Sequence, residues 1–510
     1  MSKLVEEEKP ILITGATGLV GSLLTLTALR AGHSVRLLVR GNEGPPAWGR
    51  LQSILNVFGC SPEEWNELSR SIELYEGDIA LPLFGLSERE WDGMAEGLSR
   101  IYHAAAHTSF RKDQRAKAFR INVEGSRHVM ALAEVSQAHL FYISTAYIAG
   151  ETDQRVLEHE VEEPRQWRNP YEETKFFAER EIHLGCRDKG LSCTAFRPAI
   201  LSGDAIKGRT IRFNTIYYFM KLFHYLAARE ASPFPLILKA KPDATLNLVP
   251  VDYAVTSIWT ISRLPACKGK IFHITNPSPP RFQDLISIGK KIFGRSIEVS
   301  DHLPSPDKST GEKREKEEKE SGLYAPYMFG EPEFDLRNTR ALLPDYDSAF
   351  PSLDEAYFRR ILAFAVEQNW KPLFLSQTRT HRRGEPSWFV EKYFREFLGG
   401  RLNQHLLKKM KNLSGVFSIQ IKNGVSSTWT LEVTDGRLLS VSQNGRIAEC
   451  TYTMDVTTFE KVVKGLCPPE EAFFDGQIDI HGNMVKALTI AAALSEFCRT
   501  FPYKETTTSE

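Results

Sequence analysis

From residue 11 to about 275, short apolar, β-branched runs alternate with longer segments of helical character. That alternation predicts a parallel sheet with helices on both faces. The strand candidates are ILIT at 11, SVRLLV at 34, SIELYEG at 71, RIYHAAA at 100, HLFYIST at 139 and LSCTAFR at 191, and their order implies a doubly wound α/β fold. Residues 304–322, PSPDKSTGEKREKEEKESG, bury too little apolar surface to order themselves and are expected to form a flexible charged insertion. A helical stretch from Leu353 to Asn369 follows, and then a second polar break, SQTRTHRRGEPS at 376–387, which predicts a linker between domains at 1–375 and 388–505. Beyond it GVFSIQIKNG, STWTLEVTDG and RLLSVSQNG end in glycine turn signals, the pattern of a small meandering sheet. An apolar terminal helix, Met484 to Phe497, makes this second domain α+β.

Size agrees with two domains, because 510 residues exceed the roughly 250–300 at which single cores stop growing. The 64 basic and 64 acidic side chains cancel, which removes any global electrostatic reason to expect nucleic acid as a partner. Seven scattered cysteines without metal-ligand spacing suit a reducing, cytoplasmic setting, and MSKLVEEEKP carries acids where a secretory signal needs basic residues. The most membrane-like stretch, Ile216 to Ala228, is broken by Lys221 and His224 and falls short of the roughly 20 apolar residues that span a bilayer. No transmembrane segment is expected; a peripheral membrane contact stays open.

Candidate chemistry begins at Thr14-Gly15-Ala16-Thr17-Gly18-Leu19-Val20-Gly21, which follows the first strand and opens an apolar helix. This is the setting of a dinucleotide-binding, Rossmann-type turn. Gly15 permits the tight turn, Gly18 lets backbone amides approach a pyrophosphate, and Gly21 lets helix and strand pack closely. The second strand ends in Arg40, where an acid would bind the ribose hydroxyls of NAD; an arginine favours the 2′-phosphate of NADPH. Arg50 can close over the same phosphate or be a solvated surface residue. Asp78 is placed to accept from the adenine amino group or to cap the next turn. Ile79 beside it, and Ala104 and Ala105 after the fourth strand, complete this wall of the predicted cleft.

Tyr171 and Lys175 are four apart, on one face of a helix. A free tyrosine is a poor acid-base catalyst at neutral pH, and a neighbouring ammonium lowers its pKa of about 10. Tyr217 and Lys221 repeat the spacing, so context must choose. Tyr171 lies between the strand ending in Ser144 and Thr145, where a hydroxyl can hold a substrate carbonyl, and the strand running into Pro198 and Ile200, which can lie along a nicotinamide. Tyr217 lies past both, as a pocket wall or simply core. No histidine pair with a partner acid points to a metal.

TGATGLVG, HAAA, INVEGS, ISTAYIAG, YEETK and RPAI, in that order, resemble the extended short-chain dehydrogenase/reductases. Within that superfamily GDIALPLFGLSEREW, IYHAAAHTSF, NPYEETKFFAERE, NLVPVDYAV and FDLRNTRALL are similar to fatty acyl-CoA reductases and thioester-reductase domains. The resemblance puts the catalytic hydroxyl on Thr145, with Tyr171 as acid and Lys175 holding the nicotinamide ribose. Thr174 departs from the serine common before that lysine. WTLEVTDGRL, AECTYTMDVTTFEKVVKG and EAFFDGQIDIHGNMVKAL resemble a sterol-carrier-protein domain, which implies an apolar tunnel for a lipid. Together these imply NADPH-dependent reduction of a lipid thioester. Oxidation of a 3-hydroxysterol, with or without decarboxylation, uses the same residues. A non-catalytic NADP-sensing lipid carrier is the reading of another class.

Overall fold

The structure is a computed structural model that describes residues 9–41, 46–164, 166–227, 236–294, 297–300, 325–373, 386–405, 413–422, 427–445, 447–474 and 476–503. The expected insertion at 304–322 and the expected linker as far as residue 385 lie outside them; Pro386 and Ser387 already belong to a helix, Pro386–Lys392.

The chain divides into two compact units. The first is organised on a seven-stranded sheet of β1 (Ile11–Thr14), β2 (Val35–Val39), β3 (Ile72–Glu76), β4 (Arg100–His103), β5 (His139–Ile143), β6 (Cys193–Pro198) and β10 (Ile271–Ile274). Its order is β10-β6-β5-β4-β1-β2-β3, every pairing parallel. The order reverses between β1 and β4, and ligands of such sheets bind at the carboxyl ends of the strands beside that reversal. All four side chains of β1 are buried, as expected of a strand covered on both faces. Short parallel pairs join β7 (Ile200–Ser202) to β9 (Leu248–Pro250) and β8 (Leu236–Lys239) to β11 (Ile297–Ser300).

The helix Pro170–Asp188, which carries Tyr171 and Lys175, starts on a side-chain cap from Asn169 with proline in its first turn. Ala178, Ile182 and Cys186 enter the core with Leu140 and Tyr142 of β5. A second tie is ionic: Arg197 on β6 is fully buried and donates to Glu179 at 2.5 and 3.0 Å. The guanidinium also donates to the carbonyls of Leu157 and His159, which satisfies the fork.

The second unit is built on a mixed sheet of β12 (Gly415–Lys422), β13 (Ser427–Thr434), β14 (Arg437–Gln443), β15 (Cys450–Asp455) and β16 (Ile478–Gly482), ordered β14-β13-β12-β15-β16. The expected meander is present in β12 to β14, but β15 returns beside β12 in parallel. Inward side chains Phe417, Ile419, Trp429 and Leu431 pack with Ala487, Ile490 and Phe497 of the helix Met484–Thr500. The rings of Phe394 and Trp429 stack at 4.8 Å. A cavity of about 20 Å³ lies among Tyr393, Ile419, Tyr452, Met454, Phe459 and Leu494. That is room for about one water.

One grouping differs from a continuous first domain over 1–375: the second unit takes in Phe213–Pro233 and resumes at Ala365. The helix Ile216–Ala227 therefore belongs with the sheet of the second unit. Lys221 is 3% exposed, donates to the carbonyl of Phe473 at 2.5 Å and lies 4.1 Å above that ring. Tyr217 is 1% exposed and stacks edge-on with Phe213. The second Tyr-x-x-x-Lys pair is thus core, and its lysine is committed to packing. The first testable consequence concerns truncation. A chain ended at Gln377 removes Phe473, the partner of Lys221, and uncovers the apolar side of that helix. It is expected to self-associate on size exclusion, and a monodisperse monomer would show the helix stable without its cover.

Candidate active site and cofactor cleft

The turn between β1 and the helix α1 (Leu19–Arg30) is shaped by how little room it leaves. Gly15 has φ +75°, and a Cβ there would stand 2.6 Å from the amide of Ala105 and 2.8 Å from the carbonyl carbon of Ala104. A Cβ on Gly21 would lie 2.1 Å from the oxygen of Gly15. Gly18 is the N-cap of α1, extended and without a side-chain cap, so the first amides of the helix are not claimed from that position. Anions suit such an end. The backbone cradle that Gly15, Gly18 and Gly21 form with Ala104 and Ala105, one that a Cβ would fill, fits the pyrophosphate of a dinucleotide.

Behind it the carboxyl ends of β1 and β4 are locked together. Thr14 Oγ1 shares a 2.8 Å hydrogen bond with His103 Nδ1 and accepts from the amide of Ala105 at 3.3 Å. His103 Nε2 meets Ser126 Oγ at 3.1 Å. Burial, with a smaller push from Lys175, brings this histidine down to about 3, so it is neutral and structural at physiological pH. Thr17, Leu19 and Val20 are partly exposed around the turn.

Arg40 stands exposed directly after β2. Arg50, on α2 (Ala47–Val57), is 5% exposed and donates to the carbonyl of Arg40. The structure therefore brings the two arginines together, and the solvated alternative for Arg50 is not what it shows. Asp78 Oδ1 accepts from the amide of Ala80 at 2.9 Å, which is the capping alternative. Ile79 is buried, its carbonyl held by His128 at 2.7 Å.

At the ends of β5 and β6 the other candidates converge. Thr145 is 4% exposed, with Oγ1 3.5 Å from the carbonyl of Pro198 and 3.4 Å from the amide of Tyr147. Tyr171 is partly exposed and hydrogen-bonded with Thr145. Ser144 is 2% exposed and its Oγ has no partner among the described residues. Ile200 opens β7 beyond Pro198. Lys175 is 2% exposed, donates to the carbonyl of Ile143 at 2.5 Å and lies 4.0 Å above the ring of Tyr142.

The electrostatics depart from the sequence expectation. Burial pushes Tyr171 up to about 12, the hydrogen bond with Thr145 pulling the other way. Burial pulls Lys175 down to about 7, opposed by Glu179. The ammonium that would lower the tyrosine is itself disfavoured by burial and donates to the carbonyl of Ile143, and desolvation wins.

A residue that the sequence reading left without a role is Asn122. It sits in a π-helical turn, Phe119–Glu124, where its side chain accepts from the amide of His107 at 2.7 Å, donates to that residue's carbonyl at 3.0 Å and donates to Thr174 at 2.8 Å. It ties the loop after β4 to the turn before Lys175. INVEGS held the asparagine in view, but a π turn leaves no sequence signal. Among the described residues no cluster of His, Cys, Asp or Glu suits a metal ion, and no helix is long and apolar enough to cross a membrane.

Comparison with known proteins places this geometry. Residues 13–258 match the Male sterility protein family, an NAD-binding family, and residues 395–495 match the SCP-2 sterol transfer family. The nonribosomal peptide synthetase asaC of Aspergillus flavus is 28% identical over 291 residues, which are 54% of this chain and 27% of that one. The fatty acyl-CoA reductase wat of Drosophila melanogaster is 30% identical over 148 residues, 28% of each. The chain thus spans little more than a quarter of the length of either relative. The crystal structure of the terminal R domain from the myxalamid PKS-NRPS biosynthetic pathway superposes with a TM-score of 0.60 at 25% identity, covering 72% of this chain and 92% of that one. The first unit has the fold of the extended short-chain dehydrogenase/reductases and resembles the R domain and the fatty acyl-CoA reductase, and the chain carries a region similar to the SCP-2 family after it.

The charge state of Lys175 can be read through stability. Its folded value near 7 lies below the roughly 10.4 of an unfolded lysine, so the unfolded chain binds the extra proton between those values. The cost to the cofactor-free fold is greatest below pH 7 and fades as pH rises through that window. Lys175→Met should therefore raise Tm most at pH 6 and progressively less toward pH 10. A gain that is equal at both ends, or larger in alkali, would contradict a desolvation penalty at this site.

Proposed function

We propose that the chain is an NADPH-dependent reductase of fatty acyl thioesters, with its second unit holding the acyl chain. The observation that carries the reading is the convergence of Thr145, Tyr171 and Lys175 at the strand ends beside the Gly15–Gly21 cradle, in a domain that resembles thioester reductases. Arg40, exposed after β2 with Arg50 on its carbonyl, supports a cofactor with a 2′-phosphate.

A bound nicotinamide supplies the hydride for the thioester carbonyl carbon. The protein's share is to orient and to move protons. Thr145 donates a hydrogen bond to the carbonyl oxygen as it gains charge, and Tyr171 gives that oxygen a proton, leaving a hemithioacetal. Loss of the thiol yields the aldehyde, so that thioester, NADPH and a proton become aldehyde, thiol and NADP+. A tyrosine pushed up to about 12 keeps its proton at neutral pH, the form that the reductive direction requires of its acid. Lys175, already positioned under the strand ends, would hold the ribose when the cleft fills.

A second reading has a specific observation behind it: residues 395–495 match a sterol transfer family. In that reading the same three residues run the oxidation of a 3-hydroxysterol, Tyr171 acting as base. The measurement that separates the two is direct. Absorbance at the nicotinamide band should fall with NADPH and palmitoyl-CoA, and should not rise with NAD(P)+ and a 3-hydroxysterol; the reverse pattern replaces the first reading by the second.

Two substitutions test the residues. Tyr171→Phe should lower kcat/KM by about 10² to 10⁴ while NADPH still binds, and Tyr217→Phe should leave turnover near wild type. Arg40→Ala should weaken NADPH by about 1.5–3 kcal/mol and leave NADH little changed, as read by fluorescence titration; equal losses would make Arg40 a structural residue.

A further inference from the structure

Between β11 and the remainder of the first unit, the segment from Pro326 to Phe334 crosses the ends of β5 and the helix Pro170–Asp188. Tyr327 is 4% exposed, and its hydroxyl donates to Glu172 Oε1 at 2.5 Å while accepting from Asn169 Nδ2 at 2.8 Å. Asn169 is the cap of the helix, and Glu172 follows Tyr171 in sequence. The ring of Tyr327 stacks on Phe110 at 5.7 Å and 27°, and Phe110 stacks in turn on Tyr171 at 6.0 Å and 26°. The circuit Tyr171, Phe110, Tyr327, Glu172 closes on itself. Four residues further along, Glu331 accepts from the hydroxyl of Tyr147 at 2.7 Å, and the amide of Tyr147 lies 3.4 Å from Thr145 Oγ1. Phe334 then packs edge-on against Tyr147 at 5.6 Å. Arg168 stands by, 3.6 Å from Glu172 and donating to the carbonyl of Gly150 at 2.7 Å.

The segment thus reaches the neighbour of each hydroxyl assigned to the reaction, by hydrogen bond and by aromatic stack, without reaching either hydroxyl itself. We propose that Pro326–Phe334 is a positioning strap for the catalytic pair, in which Tyr327 sets the ring of Tyr171 through Phe110 and Glu172. The proposal rests on the reading of Tyr171 as the acid. It explains why two carboxyl groups are kept inside, at the cost of burial that pushes both Glu172 and Glu331 up to about 7: each accepts from a tyrosine that orients the strap or what lies under it. It also assigns Tyr327 the character of a positioning residue, since a shift of about 1 Å in a reacting group is enough to cost roughly 10²-fold in rate.

The test uses the full chain and three variants, Tyr327→Phe, Phe110→Leu and the two together, with palmitoyl-CoA and NADPH as probes. Tyr327→Phe keeps the ring and removes its hydrogen bonds; Phe110→Leu removes the stack between. Each single change should lower kcat about 10-fold or more, with KM and the Kd for NADPH held within about twofold, and the double variant should fall no further than the worse single. Should Tyr327→Phe fail to fold, Phe110→Leu with the same split between kcat and KM decides. Wild-type kcat in both singles, or losses that multiply in the double and vanish on cooling below each variant's Tm, would overturn the strap while leaving Tyr171 in place. Failure of the reading beneath it looks different: Tyr171→Phe would itself be active, or the wild-type chain would not turn over the thioester, and the strap falls with it.

Discussion

A fully buried guanidinium on β6 is the constraint on which the site depends. Arg197 and Glu179 meet at 0% and 3% side-chain exposure, and together they fix the helix that carries Tyr171 and Lys175 against the strand that runs to Pro198. Burial alone would push Glu179 up, but Arg197 and His183 prevail and hold it well below the usual carboxylate range. Breaking such a pair by removing one partner leaves an unpaired buried charge and typically costs about 3–5 kcal/mol. Its stability value against an apolar pair is small, so its use here is geometric. It fixes the rotation and the height of the helix over the sheet, and with them the face on which position 171 and position 175 look toward the strand ends.

The same pair governs what Lys175 can be. Glu179 lies one helical turn on and favours the charged lysine, yet its charge is already shared with Arg197, and burial brings Lys175 to about 7. The ammonium therefore has no full counter-charge in the free cleft and settles on the carbonyl of Ile143 and the ring of Tyr142. A bound dinucleotide would bring phosphates and ribose hydroxyls into the cradle, adding acceptors to the carbonyl of Ile143. On the proposed reading, cofactor binding and the charging of Lys175 reinforce one another, because each supplies what the other lacks.

Much of this was legible in the sequence wherever a contact is local. The turn at 14–21 needs glycine at positions where a Cβ would stand within 2.1 to 2.8 Å of backbone, and glycine spacing writes that requirement into the chain. The strands β1 and β6 of the main sheet are buried along their whole length and are largely apolar in sequence. What was not legible lies in partners far apart: Tyr327 and Glu172 are separated by 155 residues, and nothing near either announces the other. The desolvation that reverses the expected shift of Tyr171 is likewise a property of packing, invisible to a spacing of four. The helix Ile216–Ala227 misled for a related reason. Its position in the chain lies within the first domain expected from the sequence, whereas its lysine is satisfied by a carbonyl at separation 252.

The role proposed for the second unit sets a physical requirement that its packing defines. Sites for drug-sized ligands have volumes of about 300–1,000 Å³. The cavity among Tyr393, Ile419 and Tyr452 is about 20 Å³. On the proposed reading, a lipid at this cavity would have to replace side-chain contacts among the described residues. The cheapest contacts to exchange are those between the helix Met484–Thr500 and the inward face of the sheet, since one apolar surface substitutes for another at little cost in hydrophobic burial. Polar groups resist such exchange unless a ligand answers them. Glu470 lies near this region, pushed up to about 7 by burial and acting on Tyr452 and Cys498 of the cavity wall, with Oε2 unpartnered among the described residues. Burial there disfavours the charged form of this carboxyl, which makes the cavity wall less polar than its sequence implies.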